Sequence, residues 1–243
     1  MIGLYTAITF LTRVPLDRGR GRPVDMVAAV PWFPVVGLIV GLAEFGVFVM
    51  AFELTTPFVA AVLAAATAAL ITGAFHHDGL ADMADAFGGG WNREQRLEIL
   101  KDSRLGTYGV TALTLALLLE VAVLSGLGRS AAAAAIIGGH AVSRAAAVAV
   151  MGLGETSAAP GLGSRYTADL GRRQVASGVA VGLVAAAVAF REWSPVVLAA
   201  AALVTFLVVR LARSKIGGVT GDVLGAIQQL SYLATLVIAA AVR

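Results

Sequence analysis

Residues 31–52 read PWFPVVGLIVGLAEFGVFVMAF, 22 positions of which one, Glu44, is charged. An α-helix rises about 1.5 Å per residue, so about 20 apolar residues cross the roughly 30 Å hydrocarbon core of a bilayer. This stretch is long enough. Six further runs, at 57–75, 108–127, 131–153, 175–190, 195–211 and 223–242, have the same character, those at 175–190 and 195–211 being short. All are rich in Ala and Leu and none alternates apolar with polar, which predicts helices rather than barrel strands. The composition agrees: 58% of the 243 residues are hydrophobic and 14% charged, with mean hydropathy +0.86. Ordinary soluble domains carry roughly 45–50% and 25%. The predicted fold is all-α, a single integral-membrane domain over residues 1–243 built as a polytopic transmembrane bundle of about seven spans.

The basic residues set the orientation. Arg13, Arg18, Arg20 and Arg22 precede the first span, and Arg93, Arg96, Lys101 and Arg104 separate the second and third. Arg165, Arg172 and Arg173 follow the fourth, and Arg210, Arg213 and Lys215 the sixth. The opposite connections hold only Arg129 and Arg191, with Arg243 at the end. The positive-inside rule therefore predicts a cytoplasmic N-terminus and three cytoplasmic polar loops. The loops on the other side, 53–56, 128–130 and 191–194, are too short to house chemistry. The apolar stretch 1–11 lacks the basic start and small-residue cleavage site of a signal peptide.

No cysteine is present, which excludes disulfides, thiolate metal sites and thiol nucleophiles. A metal would have to use oxygen or imidazole ligands, favouring a hard ion such as Mg²⁺ or Mn²⁺. Residues 72–109 carry the densest chemistry: TGAFHHDGLADMADAFGGGWNREQRLEILKDSRLGTYG. Asp78, Asp82 and Asp85 fall at i, i+4 and i+7 and share one helix face. Three like charges stacked there repel one another unless a cation intervenes; the alternative is an acidic, solvated helix end. Gly88, Gly89 and Gly90 predict a sharp break that serves either as a linker or as a phosphate cradle. Lys101 and Arg104 suit phosphate oxygens, or else anchor the next span. In the last basic loop, KIGGVTGDVLG at 215–225, Gly218 and Thr220 lie where a helix N-terminus attracts anions, and Asp222 is either its cap or a ligand reaching across. A fourth loop, with Pro160, Gly161, Leu162, Gly163 and Arg165, fits a substrate-contacting segment. Within the spans, Glu44, Glu120, His140 and Arg144 are ionisable groups costly to leave alone in lipid, and a pairing of His140 and Arg144 with Glu44 is expected.

Together these motifs resemble the cobalamin synthase family, the adenosylcobinamide-GDP ribazoletransferases. The resemblance runs along most of the chain through FLTRVPL, PWFPVVGLIVG, HHDGLADMADAFGGG, KDSRLGTYG, PGLG and GGVTGDVLGA. His77, Gln228 and Gln229 depart from the residues usual in the family. The resemblance implies a Mg²⁺-dependent enzyme of the bacterial cytoplasmic membrane that joins α-ribazole, or its 5′-phosphate, to adenosylcobinamide-GDP and releases GMP. On that reading Asp78, Asp82, Asp85 and Asp222 are the metal ligands, and His76 or one of the Asp residues takes the proton. Lys101 and Arg104 hold the diphosphate, and Gly88, Gly89, Gly90, Gly218 and Thr220 contact substrate. The lipid bilayer is the expected environment, a homo-oligomer or an association with other late corrinoid enzymes is compatible with it, and no nucleic-acid partner is expected.

Two other readings fit less well. CDP-alcohol phosphotransferases also cluster Asp at a membrane surface, but Asp82 stands where their pattern has Arg and their downstream spacing is absent. A secondary transporter predicts carboxylates near the midplane and an internal repeat, whereas the main Asp cluster sits at the end of a span.

Overall fold

A computed structural model describes residues 2–16, 24–153 and 170–242. Arg18, Arg20, Arg22 and Arg243, and the loop with Pro160, Gly161, Leu162, Gly163 and Arg165, lie outside the described residues. The described residues are helical almost throughout. Helix α1 (Ile2–Leu11) is too short to cross a bilayer and packs, through Gly3, on the backbone at Ala28 in the next helix. Helix α2 (Met26–Ala29), capped by Asp25, runs through a 3₁₀ turn into α3 (Phe33–Leu54). After Thr56, whose hydroxyl caps the helix, come α4 (Pro57–Thr72) and then α5 (Phe75–Gly89). The short α6 (Arg93–Ile99) leads to α7 (Thr107–Ser125). Next, α8 (Arg129–Ala133) continues through a π turn, Ala134–Gly138, into α9 (Gly139–Met151). The last three helices are α10 (Arg172–Phe190), α11 (Ser194–Ile216) and α12 (Gly221–Ala241).

Among the described residues, five apolar helical stretches are long enough to cross a membrane, and six when α4 and α5 are taken together. One of the five, Arg172–Ile216, doubles back on itself. At Arg191 the backbone takes φ +49°. Before that point α10 runs antiparallel to α9, with Gly182 against Ala145 and Gly178 against Val148. Beyond it α11 returns, so that the Ile216 carbonyl accepts a 2.9 Å bond from Arg93 Nε at the opposite end of the bundle. Counting α10 and α11 separately reconciles the structure with the seven runs in the sequence.

The run at 57–75 is not one straight span. It stops at Thr72, and α5 leaves at 90° to α4. Gly73 (φ +65°) and Ala74 (φ +57°) make the corner in the left-handed region. The FLTRVPL segment braces it: Arg13 N–H donates to Ile71 C=O at 2.7 Å, and the Arg13 side chain lies against Gly73. Phe10 stacks on Phe33 and meets Phe75 edge-on, with centroids 5.8 and 5.4 Å apart. Helix α5 is thereby turned across one end of the bundle instead of continuing the crossing. The ends of α4 and α11 and the starts of α7 and α12 gather at that end. At the other end, an exposed ion pair between Glu53 and Arg129 joins two of the short connections.

Inside the bundle the intramembrane charges are paired, as expected. His140 Nε2 lies 2.6 Å from Glu44 Oε2, and Tyr232 donates to Glu44 Oε1 at 3.1 Å. Arg144 Nη1 approaches His140 Nδ1 at 2.9 Å. Since Arg can only donate, Nδ1 accepts and the ring donates from Nε2 to the carboxylate. The imidazole thus links a guanidinium to a carboxylate, and it stacks on Tyr232 at 4.3 Å. Glu120 is buried beside them. Gly37 has no room for a Cβ beside the His140 carbonyl, which lets α3 and α9 approach this closely.

The corner at Gly73 makes a direct test. Gly73→Ala places a side chain at a positive φ and against Arg13, and should destabilise the protein by about 1 kcal/mol or more. Gly46, mid-helix with open space beside it, is the control: Gly46→Ala should be neutral or stabilising by up to about 1 kcal/mol. Thermal unfolding in detergent distinguishes the two.

Candidate active site

The site is built where α5 crosses the start of α12. Gly79 and Gly225 lie at the contact: a Cβ on Gly79 would stand 2.8 Å from the Asp222 carbonyl oxygen and 3.1 Å from Gly225 Cα. Because neither residue has a side chain, the backbones touch and the carboxylates carried by the two helices converge. Asp82 experiences the charges of Asp78 and Asp222, and then Asp85; Asp222 in turn experiences Asp78. Asp78 is exposed, while Asp82 and Asp222 are half-buried. Partial burial, reinforced by these neighbours, raises the Asp82 carboxyl from its ordinary 3.8 to about 7. The structure gives the cap of α12 to Thr220, whose hydroxyl accepts from Val223 N–H at 3.3 Å. Asp222 is therefore not the cap: its Oδ2 accepts from the Thr220 hydroxyl at 3.4 Å, and its carboxylate faces Asp78 and Asp82.

Asp85 shares the helix but is engaged elsewhere. Its two carboxylate oxygens accept from the backbone N–H groups of Gly106 (2.7 Å) and Gly109 (2.8 Å) at the start of α7. A carboxylate on one helix thus caps the N-terminus of another, an arrangement favoured by the orphan amides and the helix dipole. The glycines of KDSRLGTYG are explained by it, since a Cβ at either would run into Asp85. Among the described residues, no three His, Asp or Glu side chains already stand as a metal's ligand set.

The Gly triplet is not the sharp break expected. Helix α5 runs through Gly88 and Gly89, and Gly90 ends it at φ −84°, so the triplet lacks the αL element of an anion nest. Packing explains two of the three: a Cβ on Gly88 would strike the Tyr108 ring at 2.6 Å, and one on Gly90 would strike Arg96 Cγ at 2.5 Å. Of the three, Gly89 leaves room for a ligand.

Lys101 and Arg104 lie on the exposed connection to α7. Arg104 is bound to Asp102 through Nε and Nη2 at 2.6–3.1 Å, and these hydrogen bonds hold the Asp102 carboxyl below its usual range. Exposed pairs of this kind contribute little, so Arg104 can change partner at small cost. Arg93 and Arg96 are used differently. They donate to the Ile216 and Lys215 carbonyls at the end of α11, satisfying groups that a helix terminus leaves open. Gly217, at φ +81°, then turns the chain toward the buried Gly218.

His76 is buried beside Gly225, and His77 lies 3.4 Å from the Gln229 side chain. Deeper in the bundle, Gln228 donates to Ser143 at 3.0 Å. Arg144 Nε and Nη2 have no partner among the described residues. Two features escape sequence reasoning: Tyr232 and the partnership of Asp85 with Gly106 and Gly109. Tyr232 is signalled by the run of polar residues Gln228, Gln229 and Ser231 in an otherwise apolar span; nothing in the sequence indicates which amides Asp85 reaches.

The family model described as cobalamin-5-phosphate synthase matches residues 3–240 of this chain. An adenosylcobinamide-GDP ribazoletransferase from Bradyrhizobium diazoefficiens is 40% identical, the match covering 98% of this chain and 93% of that protein. Proteins with the same description from Shewanella halifaxensis (40% identical, 94% and 91% covered) and Ralstonia nicotianae (36%, 96% and 92%) are also similar. No solved structure matches the chain.

The raised Asp82 carboxyl predicts a pH effect on the metal-free protein. The unfolded chain loses this proton near 3.8 whereas the folded chain keeps it to about 7, so folding stability should fall as pH rises from about 4 to 7 and then level off. Thermal unfolding in detergent with chelator should show the decline, and Asp82→Asn should flatten it. Asp85→Ala should cost about 1–3 kcal/mol, since it leaves the Gly109 amide buried without a partner.

Proposed function

Because the chain belongs to the cobalamin-5-phosphate synthase family, we propose that it joins α-ribazole, or its 5′-phosphate, to adenosylcobinamide-GDP. A ribose hydroxyl oxygen bonds to the phosphorus next to the corrinoid, the bond from that phosphorus to the bridging oxygen breaks, and GMP leaves. The hydroxyl proton passes to a base on the protein. A displacement of this kind depends mainly on charge neutralisation and in-line positioning.

The observation that carries this assignment of the site is the meeting of Asp78 and Asp82 with Asp222 across the Gly79–Gly225 contact. Partial burial, with the charges of Asp78 and Asp222 added to it, lets Asp82 keep its proton to about neutrality, and carboxylates brought together in this way suit a hard divalent cation. Asp78, Asp82 and Asp222 hold Mg²⁺, which when bound supplies positive charge to the pyrophosphate oxygens. Asp85 keeps the start of α7 in place, and with it the connection that carries Lys101 and Arg104. Those two side chains bind the diphosphate, Arg104 by exchanging Asp102 for phosphate oxygens. Amides at the start of α12, near Gly218 and Thr220, bind anionic oxygen. His76, or a carboxylate of the cluster, accepts the proton.

The site faces the cytoplasm of a bacterial inner membrane. Arg13, Arg93, Arg96, Lys101, Arg104 and Lys215 all flank it at one end of the bundle, which supports that orientation.

Purified protein in nanodiscs, supplied with adenosylcobinamide-GDP and α-ribazole 5′-phosphate, should release GMP and corrinoid product in equal amounts only when Mg²⁺ is present. Asp82→Asn should lower the rate by roughly two to three orders of magnitude while the protein stays folded; full activity in that variant sinks the metal-site assignment. The absence of cysteine allows a clean topology test. In intact cells a membrane-impermeant maleimide should label Ser130→Cys and spare Ser103→Cys, and the reverse pattern would overturn the orientation.

A further inference from the structure

Between α9, α10 and α11 the bundle opens into a cavity of about 900 Å³, at the upper end of the roughly 300–1,000 Å³ typical of small-molecule sites. Its position is unusual for a substrate pocket, because its walls are faces of spans at bilayer depth. Small residues, Ala145 and Ala149 from α9, Gly182 from α10 and Ala202 from α11, alternate there with larger apolar ones such as Leu183 and Phe206. In membrane bundles small residues ordinarily let helices close on one another. Here α10 and α9 do close at Gly182 and Ala145, but α11 stands off and leaves the groove. The hydroxyls on these walls are bonded within their own helix, Thr205 to Ala201 C=O (2.7 Å) and, at one end, Ser214 to Leu211 C=O (2.8 Å). Over most of its length the groove therefore offers a ligand no polar group to bind.

One end differs. Arg210, Arg213 and Ser214, at i, i+3 and i+4 on the last turns of α11, line the groove where it reaches the end of the bundle that carries the carboxylate site. A ligand complementary to these walls has a long apolar body and a single anionic head at that level. We propose that this groove binds an acidic glycerophospholipid, with an acyl chain between α9, α10 and α11 and its phosphate on Arg210 and Arg213. Basic clusters at the ends of spans recognise acidic headgroups in this way, and the chain contributes by van der Waals packing against the groove walls. A nucleotide or corrinoid would bring polar groups that the walls cannot satisfy. The site is separate from Asp78, Asp82 and Asp222, and its occupancy does not depend on the reaction proposed above.

The test is native mass spectrometry of the full chain released from detergent after equilibration with phosphatidylglycerol or phosphatidylcholine of identical acyl chains. One phosphatidylglycerol should be retained per protein, with phosphatidylcholine retained far more weakly. Arg210→Gln with Arg213→Gln should reduce phosphatidylglycerol retention roughly tenfold or more. Ala149→Phe, which fills the groove from an exposed position, should abolish it. Thermal unfolding without lipid, unchanged in both variants, shows that they are folded. Equal retention of the two lipids, or retention unaffected by both variants, overturns the proposal. So does competition by glycerol 3-phosphate as strong as that of the lipid, which would mark a plain phosphate site. A dimer that forms without lipid and is lost in Ala149→Phe would also overturn it, assigning the groove to a second copy of the chain.

Discussion

The contact between Gly79 and Gly225 is the constraint on which the site depends. Like-charged carboxylates do not approach one another without a reason, and here the reason is backbone packing. Two helices with no side chains at their crossing come close enough that Asp222 is carried to Asp78 and Asp82. The approach also requires α5 to lie across the bundle, so the corner at Gly73 and Ala74 belongs to the same device. Arg13, Phe10, Phe33 and Phe75 hold that corner, which explains why a motif at the start of the chain bears on chemistry encoded some seventy residues later.

The bilayer explains the division of labour along the bundle. Lipid gives no hydrogen bonds, so ionisable groups within the spans must find each other. The chain Arg144–His140–Glu44–Tyr232 does this with one cation and one carboxylate bridged by an imidazole. It locks α3, α9 and α12 together, and α12 is the helix that presents Asp222. The polar interior therefore holds in place the helix whose end carries a carboxylate of the site.

At that end, charged groups of similar appearance do different work. Arg93 and Arg96 close the end of α11, Arg104 rests in an exposed pair, and Asp85 caps α7. Gly88 and Gly90 make room for Tyr108 and Arg96 rather than for phosphate. Helix ends leave several amides and carbonyls open, and where many helices end together a large share of the polar side chains is consumed in satisfying them.

Local pattern along the chain was enough to read the membrane class, the helical runs, the shared helix face of Asp78 and Asp82, and the pairing of Glu44 with His140. These follow from local quantities: apolar length against bilayer thickness, a 3.6-residue period, and the cost of charge in lipid. The family was legible for a related reason, because its motifs are contiguous in the chain. Tertiary structure alone decided that the second run breaks at a right angle, that Asp85 turns to α7 and that Thr220 rather than Asp222 caps α12. It alone opened a groove beside α11. Each of these depends on which helix ends meet and how closely they pass, and pairings between distant segments leave no periodic trace in the order of residues.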